Sequence, residues 1–295
     1  MMFLFTIPDD KSGIEGIMNT EFLTIYKRDM RRYFRFKHQF FSSLLQPVLW
    51  LAFFGMAMAG NFDRILGGSD LIPGVFHVSY LTFMCAGIIS ATVLFTNIYG
   101  GFFLLFDKNW GLLREVMASP MPRRNLIMGI ALSSITKSWI QGVIILAFGM
   151  VLGVTFFTGQ EAISIIISFM GFLAFIGFFS IIFLCISMTL ALKIDSIEGF
   201  QGVTTLLTMP LFFLSNSLYP MEGLPLIVRQ IAFLNPLTHL TTGLRYFIIG
   251  KHFEAIGLVF SYTPVDILFS LGYLIACAAV LFVIALKTVE RAVVT

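Results

Sequence analysis

Apolar positions along this chain gather into long, nearly unbroken runs, separated by short segments that hold most of the charge. A helix needs about 20 predominantly apolar residues to cross a bilayer, with about 17–25 usual. Six runs meet that measure: Phe41–Gly60, Val78–Leu105, Ser133–Phe156, Ile163–Leu192, Gly199–Leu218 and Val265–Leu286. The second and fourth are longer than a bilayer requires, so they tilt or extend into the interface. The fifth contains Pro210, which should kink it.

Three further segments mix apolar and polar residues but cannot span. In residues 18–40, Met18, Phe22, Ile25, Tyr26, Tyr33, Phe36 and Phe40 recur at three- or four-residue steps, and so do Lys27, Arg28, Arg31, Arg32 and Arg35. That spacing predicts an amphipathic helix lying in the membrane interface; the alternative is that the charges only enforce topology. Phe106–Arg124 reads FDKNWGLLREVMASPMPRR. A two-turn helix fits between Gly111 and Ala118, with Arg114 and Glu115 exposed and Leu112, Leu113 and Val116 available to a partner. Two turns cannot stand alone in water, so this helix must dock on its own bundle or on another protein, unless the segment is a plain loop. In the third segment, Leu224–Leu234 is an apolar run too short to cross. Asn235–Pro236 then supplies a helix N-cap followed by proline at the first helical position, starting Pro236–Ile249. Short apolar helices of this kind predict a re-entrant hairpin, with a loose loop as the alternative. Glu222, Arg229 and Arg245 are expected at its water-exposed face.

Composition supports lipid as the solvent. The 295 residues are 58% hydrophobic and 12% charged, against about 25% charged in soluble domains, and the mean hydropathy is +0.91. The chain is all-α and integral to a membrane. Basic residues set its sidedness. Residues 1–40 carry seven Lys and Arg, and the segment after the second span carries Lys108, Arg114, Arg123 and Arg124. Lys193 and the pair Lys287 and Arg291 fall on the same side. The opposite side has Arg64, Arg229, Arg245 and Lys251. Both termini are therefore expected in the cytoplasm, with an N-terminal part over 1–40, one six-span domain over 41–286 and a short tail over 287–295. The start, MMFLFTIPDDK, lacks a basic n-region, so it reads as retained rather than as a signal peptide.

Little in the chain suggests catalysis. The net charge of +3 implies no nucleic-acid partner. Cys85, Cys185 and Cys277 sit in apolar runs, and the four histidines are scattered, so no metal site is expected. The phosphate-binding pattern GxxxxGK[ST] is absent, so no ATP site is expected in this chain. Polar groups inside spans are candidates for function. Lys137 shares a helical face with Ser134, Ser138 and Gln141 and is close enough to the cytoplasmic end to snorkel, the reading preferred over a substrate contact. Gln46, Asn97, Ser215 and Asn216 are read first as interhelical hydrogen-bonding groups and second, with Lys137 and Gln141, as lining of a substrate pathway.

Four stretches in order carry a resemblance: LLQPVLWLAFFG, FDKNWGLLREVMASPMPR, FQGVTTLLTMPLFFLSNSLYP and LPLIVRQIAFLNPLTHLTTGLR. Together the chain resembles the permease subunit of type-2 ABC exporters, the class that includes drug, polysaccharide and nodulation-factor exporters. It departs from that pattern at Asn109, where the family usually has Glu, at Asn216–Ser217 for a Gly–Ala pair, and at Thr242 for a frequent Asp. The resemblance implies six transmembrane helices, an N-terminal interfacial helix, and a cytoplasmic coupling helix over Phe106–Ala118. Asp107, Lys108, Gly111, Leu112, Leu113, Arg114 and Glu115 would then serve an ATPase subunit. It implies re-entrant helices at an outer gate, with Pro220, Glu222, Pro225, Asn235, Pro236 and Arg245. It further implies two permeases, as a homodimer, two ATPases that bind ATP and Mg, and export across the cytoplasmic membrane. Importer or lipid-flipping polarity, a non-transporting accessory subunit and an intramembrane lipid-modifying enzyme are the competing readings.

Overall fold

The computed structural model describes residues 21–66, 76–118, 121–157 and 161–291. Met18, Pro120 and the outer parts of both terminal segments lie outside the described residues. The chain starts with α1 (Glu21–Arg35). The first span follows as α2 (Lys37–Leu49), a π-helical turn (Trp50–Gly55) and α3 (Met56–Leu66). Pro47 removes a backbone donor, and the helix widens to π one turn later. The second expected span is α4 (Tyr80–Ile98) and α5 (Gly100–Asn109), which meet at a break at Tyr99. After α6 (Leu112–Ala118) come the long helices α7 (Arg123–Val151) and α8 (Ala162–Lys193). Then follow α9 (Ile197–Phe213), α10 (Leu226–Phe233), α11 (Pro236–Ile248) and α12 (Pro264–Arg291).

Helix starts follow local chemistry. The Ser79 hydroxyl accepts from Thr82 N–H to open α4, and that of Ser196 accepts from Gly199 N–H to open α9. Thr263 and Asp266 cap α12 reciprocally, each side chain accepting from the other's backbone N–H. Among the described residues, five helices are long and apolar enough to cross a membrane: Phe40–Asn61, Tyr80–Asn109, Arg123–Val151, Ala162–Lys193 and Pro264–Arg291. At the bundle centre stands α4, packed on α7, α8, α9, α11 and the first span. The first span and α12 are mostly exposed, 17% and 22% buried over their apolar windows against 89% for the Tyr80–Asn109 helix, so they meet lipid or a partner.

The fifth expected span, Gly199–Leu218, is shorter than its apolar run. Helix α9 has 17 residues, about 25 Å at about 1.5 Å per residue, against a hydrocarbon core of about 30 Å. It ends at Phe213, three residues after Pro210. The following hydroxyls compete with the helical ladder: Ser215 Oγ donates to Phe212 O and accepts from Ser217 N–H. Ser215–Ser217 is irregular backbone, and it is tolerated because it is buried in protein. Gly87 on α4 makes room for it, since a Cβ there would stand 1.7 Å from Ser217 O.

Besides its helices the chain has a small sheet that the apolar pattern does not announce. β1 (Phe76–His77) runs parallel to β2 (His252–Ala255), and β2 pairs antiparallel with β3 (Leu258–Ser261). The β2–β3 turn holds Ile256 and Gly257, both at positive φ (56° and 69°). Phe253 and Phe260 of the sheet pack into the main core beside Phe83.

Replacing Gly87 by Ala should destabilise the protein by about 1–3 kcal/mol through overpacking against Ser217. Thermal unfolding in detergent measures it. Gly60→Ala, where a Cβ meets nothing within 4 Å, serves as the neutral control.

Candidate functional site

The segments that carry the basic excess converge on one end of the bundle, and helix α1 organises it. On α7, Asn125, Gly129, Ser133, Lys137 and Gln141 recur every fourth residue and form a ridge along one face. Helix α1 presents Glu21, Ile25, Asp29 and Tyr33 at the same spacing. Asn125 Nδ2 donates to Glu21 Oε2 (3.2 Å), and Ser133 Oγ donates to Asp29. Lys137 Nζ donates to Asp29 Oδ2 at 2.5 Å, and Gln141 Nε2 reaches Tyr33 Oη (3.2 Å) and Ser43 Oγ (2.9 Å). Gly129 lets α1 approach, because a Cβ would lie 2.7 Å from Phe22 O. Burial pushes the Tyr33 phenol up to about 12. Lys137 therefore does not snorkel to water. It is 9% exposed, and Asp29 neutralises it. The sequence signal was available: Asp29 is the lone acid inside the basic run.

The face expected to hold Ser134, Lys137, Ser138 and Gln141 divides. Lys137 and Gln141 meet α1, whereas Ser134 and Ser138 meet Asn97 of α4. Asn97 Nδ2 donates to Val93 O, Ser138 Oγ and Ser180 Oγ, and its Oδ1 accepts from Ser134 Oγ at 2.8 Å. This ties three helices together with every group used, the interhelical role expected of Asn97.

From α1 the network reaches the end of α5. Asp107, 4% exposed, accepts from Arg28 Nη2 (3.3 Å) and Arg32 Nη1 (3.0 Å), and Arg32 also lies over the Phe103 ring. Lys108 Nζ donates to Leu192 O (2.9 Å), Ile194 O (3.2 Å) and Asp195 Oδ1 (2.7 Å), so it caps the C-terminal end of α8. Its hydrogen bond and its charge hold the Asp195 carboxyl below the usual carboxylate range. Asn109 Nδ2 donates to Asp195 O. Asp107 and Lys108, expected to meet a partner by charge, are thus turned inward, because α1 and α8 end beside them with complementary groups. Gly111, at φ +79°, then reverses the chain into α6. Of the two dockings left open, Leu113 and Val116 pack on the chain's own second core, while Trp110 (73% exposed), Leu112, Arg114 and Glu115 face out. Trp110 was not among the expected contacts, although an aromatic beside a turn glycine was a visible signal.

The opposite end holds the short helices α10 and α11. Asn235 Oδ1 accepts from Leu237 N–H (2.9 Å) and caps α11, while its Nδ2 donates to Leu211 O (2.6 Å) and Leu214 O (2.9 Å) at the end of α9. Pro220 precedes the short 3-10 turn Met221–Gly223, and Pro225 precedes α10. Glu222 is exposed. Arg245, expected at a water-exposed face, is fully buried instead. Its guanidinium lies 3.5 Å from the centre of the Phe83 ring, and Nη2 donates to Asn216 O (2.5 Å) and Ser217 O (3.4 Å). Carbonyls freed by the unwound end of α9 take the place of water at Nη2 alone. Ser215 and Asn216 are buried in this cluster, Asn216 Nδ2 donating to Thr242 Oγ1. Of the expected pathway residues, Gln46 faces an open cleft of about 130 Å³ with Trp50, Thr92, Phe95 and Phe212. Among the described residues no group of three His, Cys, Asp or Glu could hold a metal ion.

Two substitutions test these clusters. Asp29→Ala should lower stability by about 3–5 kcal/mol, since it leaves Lys137 buried without its counter-ion, and adding Lys137→Met should recover part of the loss in unfolding titrations. Asn235→Asp keeps the helix cap but loses both donors, so it should cost about 1–3 kcal/mol in the same titrations.

Residues 20–249 match the family model described as ABC-2 type transporter. The chain is 30% identical over 207 residues to the putative transport permease ycf38 of Cyanophora paradoxa, covering 70% of this chain and 66% of that protein, just under two thirds of its length. It is 24% identical over 230 residues to nodulation protein J of Rhizobium leguminosarum bv. viciae (75% of this chain, 80% of that protein). It is 21% identical over 243 residues to the inner membrane transport permease YadH of Escherichia coli strain K12 (77% and 82%). A bundle of long apolar helices and a family match over most of its length lead to one conclusion: this chain belongs to the ABC-2 type transporter family, as a multi-pass permease subunit.

Proposed function

We propose that this permease is the membrane half of an ATP-driven exporter in the cytoplasmic membrane, with both chain ends in the cytoplasm. Two identical copies work with two ATPase subunits, and ATP and Mg belong to those subunits. The observation that carries the reading is the outward set Trp110, Leu112, Arg114 and Glu115, borne by a base that Asp107, Lys108 and Asn109 anchor on α1, α8 and the 194–196 connector. A separate ATPase can move a membrane bundle only through a rigid contact. Here Trp110 and Leu112 supply apolar area, and Arg114 and Glu115 supply charge that selects the partner. Motion passed to α6 travels into α5 and, through Asp107, into α1.

The cleft at Gln46 and Trp50 lies between the first span, α4 and α9, and the first span is the least buried of the long helices. That face suits a second copy, with the cargo pathway between the two. Helices α10 and α11 form the outer gate. Ile227 is 72% exposed, whereas Leu237 is fully buried, so gate opening has a built-in reporter.

The test is ATP turnover and transport by the permease purified with its ATPase. Gly111→Pro, which forbids φ +79°, and the pair Arg114→Glu with Glu115→Arg should abolish coupled transport while the permease stays folded. Intact coupling in either variant overturns the assignment. A cysteine at Leu237 should be silent to a membrane-impermeant thiol reagent at rest and react during ATP turnover, with a cysteine at Ile227 reacting throughout. Constant protection of position 237 removes α11 from the gate.

A further inference from the structure

Helix α1 has a second face that the contacts above use only through Arg28 and Arg32. Thr24, Lys27, Arg28, Arg31, Arg32, Arg35 and Phe36 line an open trough of about 740 Å³ on the side turned from α7. Arg28 and Arg32 share Asp107. Lys27, Arg31 and Arg35 are exposed at four-residue spacing, and none has a carboxylate within 4 Å among the described residues. Five cations thus face one carboxylate, in a concave site. Arg35 stands five residues before the membrane-crossing stretch Phe40–Asn61, and Gln141 joins Tyr33 of α1 to Ser43 of that span. Phe36, 53% exposed, lines the trough, and Phe34 (53%) and Phe41 (67%) are exposed rings close to it in sequence. Cations and exposed rings at the foot of a span match the depth of phospholipid phosphates, with the rings reaching toward the acyl chains.

We propose that this trough binds the phosphate of an anionic phospholipid, held by Lys27, Arg31 and Arg35 and touching the Arg28–Arg32 pair that grips Asp107. The lipid headgroup is the committed ligand because the trough opens at the base of a span and exposed aromatic rings lie close to it in sequence. A soluble acidic partner would have no use for those rings. A basic cluster on an amphipathic helix is worth about 1 kcal/mol per Lys or Arg toward an anionic bilayer surface, enough for a preference of tenfold or more. The bound lipid becomes a structural neighbour of Asp107 and so of the base of α6. This inference rests on the reading above only for the leaflet that supplies the lipid, and its test uses no ATP.

The full-length permease is purified in detergent and offered phosphatidylglycerol or phosphatidylcholine, and retained lipid is counted by native mass spectrometry. Wild type should retain phosphatidylglycerol at least tenfold over phosphatidylcholine. Lys27→Gln with Arg31→Gln and Arg35→Gln should bring the ratio to within twofold, while Arg124→Gln with Lys287→Gln, the same end with less charge, should leave it unchanged. Equal retention of the two lipids by wild type, or a preference that survives the triple variant, overturns the proposal. Saturation of the trough by glycerol phosphate alone, read as a matching rise in melting temperature, makes it a site for free phosphate and also overturns it. So does a lipid preference that appears only after Asp9→Asn, Asp10→Asn and Glu15→Gln, which makes the chain's own amino-terminal segment the occupant.

Discussion

A lysine held away from water must find a negative charge, and the basic end of this permease is built around that demand. Lys137 lies several turns inside α7, where little of it is exposed, and Asp29 is the group that meets it. Satisfying Lys137 draws α1 against α7 along the ridge from Asn125 to Gln141. With α1 in place, Arg28 and Arg32 reach Asp107, and Asp107 fixes the end of α5. Lys108 next to it closes the end of α8. The orientation of α6 is the last consequence of that order. A buried pair of this kind gives little net stability but is strongly destabilising when broken, so it specifies where α1 sits more than it strengthens the fold.

Much of the architecture was legible in the apolar pattern. The long runs became long helices, Asn235–Pro236 opened a helix, and a two-turn helix stands between Gly111 and Ala118. Asn97 proved to be a hub between helices, as a buried amide should. The failures share one physical cause: the pattern reports what is apolar but not which distant group a polar atom will meet. Lys137 read as a snorkelling cation because Asp29 is more than a hundred residues away. Arg245 read as an exposed charge because the carbonyls of Asn216 and Ser217 become available only once α9 unwinds. The end of α9 was hidden by an apolar run that continues after the helix has stopped. Leu113 and Val116 looked available to a partner because nothing local shows that the second core lies beneath them.

The departures from the family pattern acquire reasons from the contacts. Asn109 stands where the family usually has Glu, and its amide donates to Asp195 O, which a carboxylate could not do. Thr242 stands in place of a frequent Asp, and its hydroxyl accepts from Asn216, while Arg245 is met by backbone carbonyls, the Phe83 ring and the Tyr262 side chain. A guanidinium tolerates such company better than an ammonium, because it is planar, weakly hydrated and able to stack on a ring.

Asn235 joins two helices through one amide, and the residue after it bears on how long that amide lasts. Asparagine commonly loses its amide when the next residue's backbone nitrogen attacks the side chain and closes a five-membered imide. Pro236 has no N–H to give up, so that route is blocked at the position where conversion to aspartate would strip both donors from the end of α9. The proline that starts α11 thereby gives the joint chemical durability as well as shape, protecting it against slow ageing of the chain.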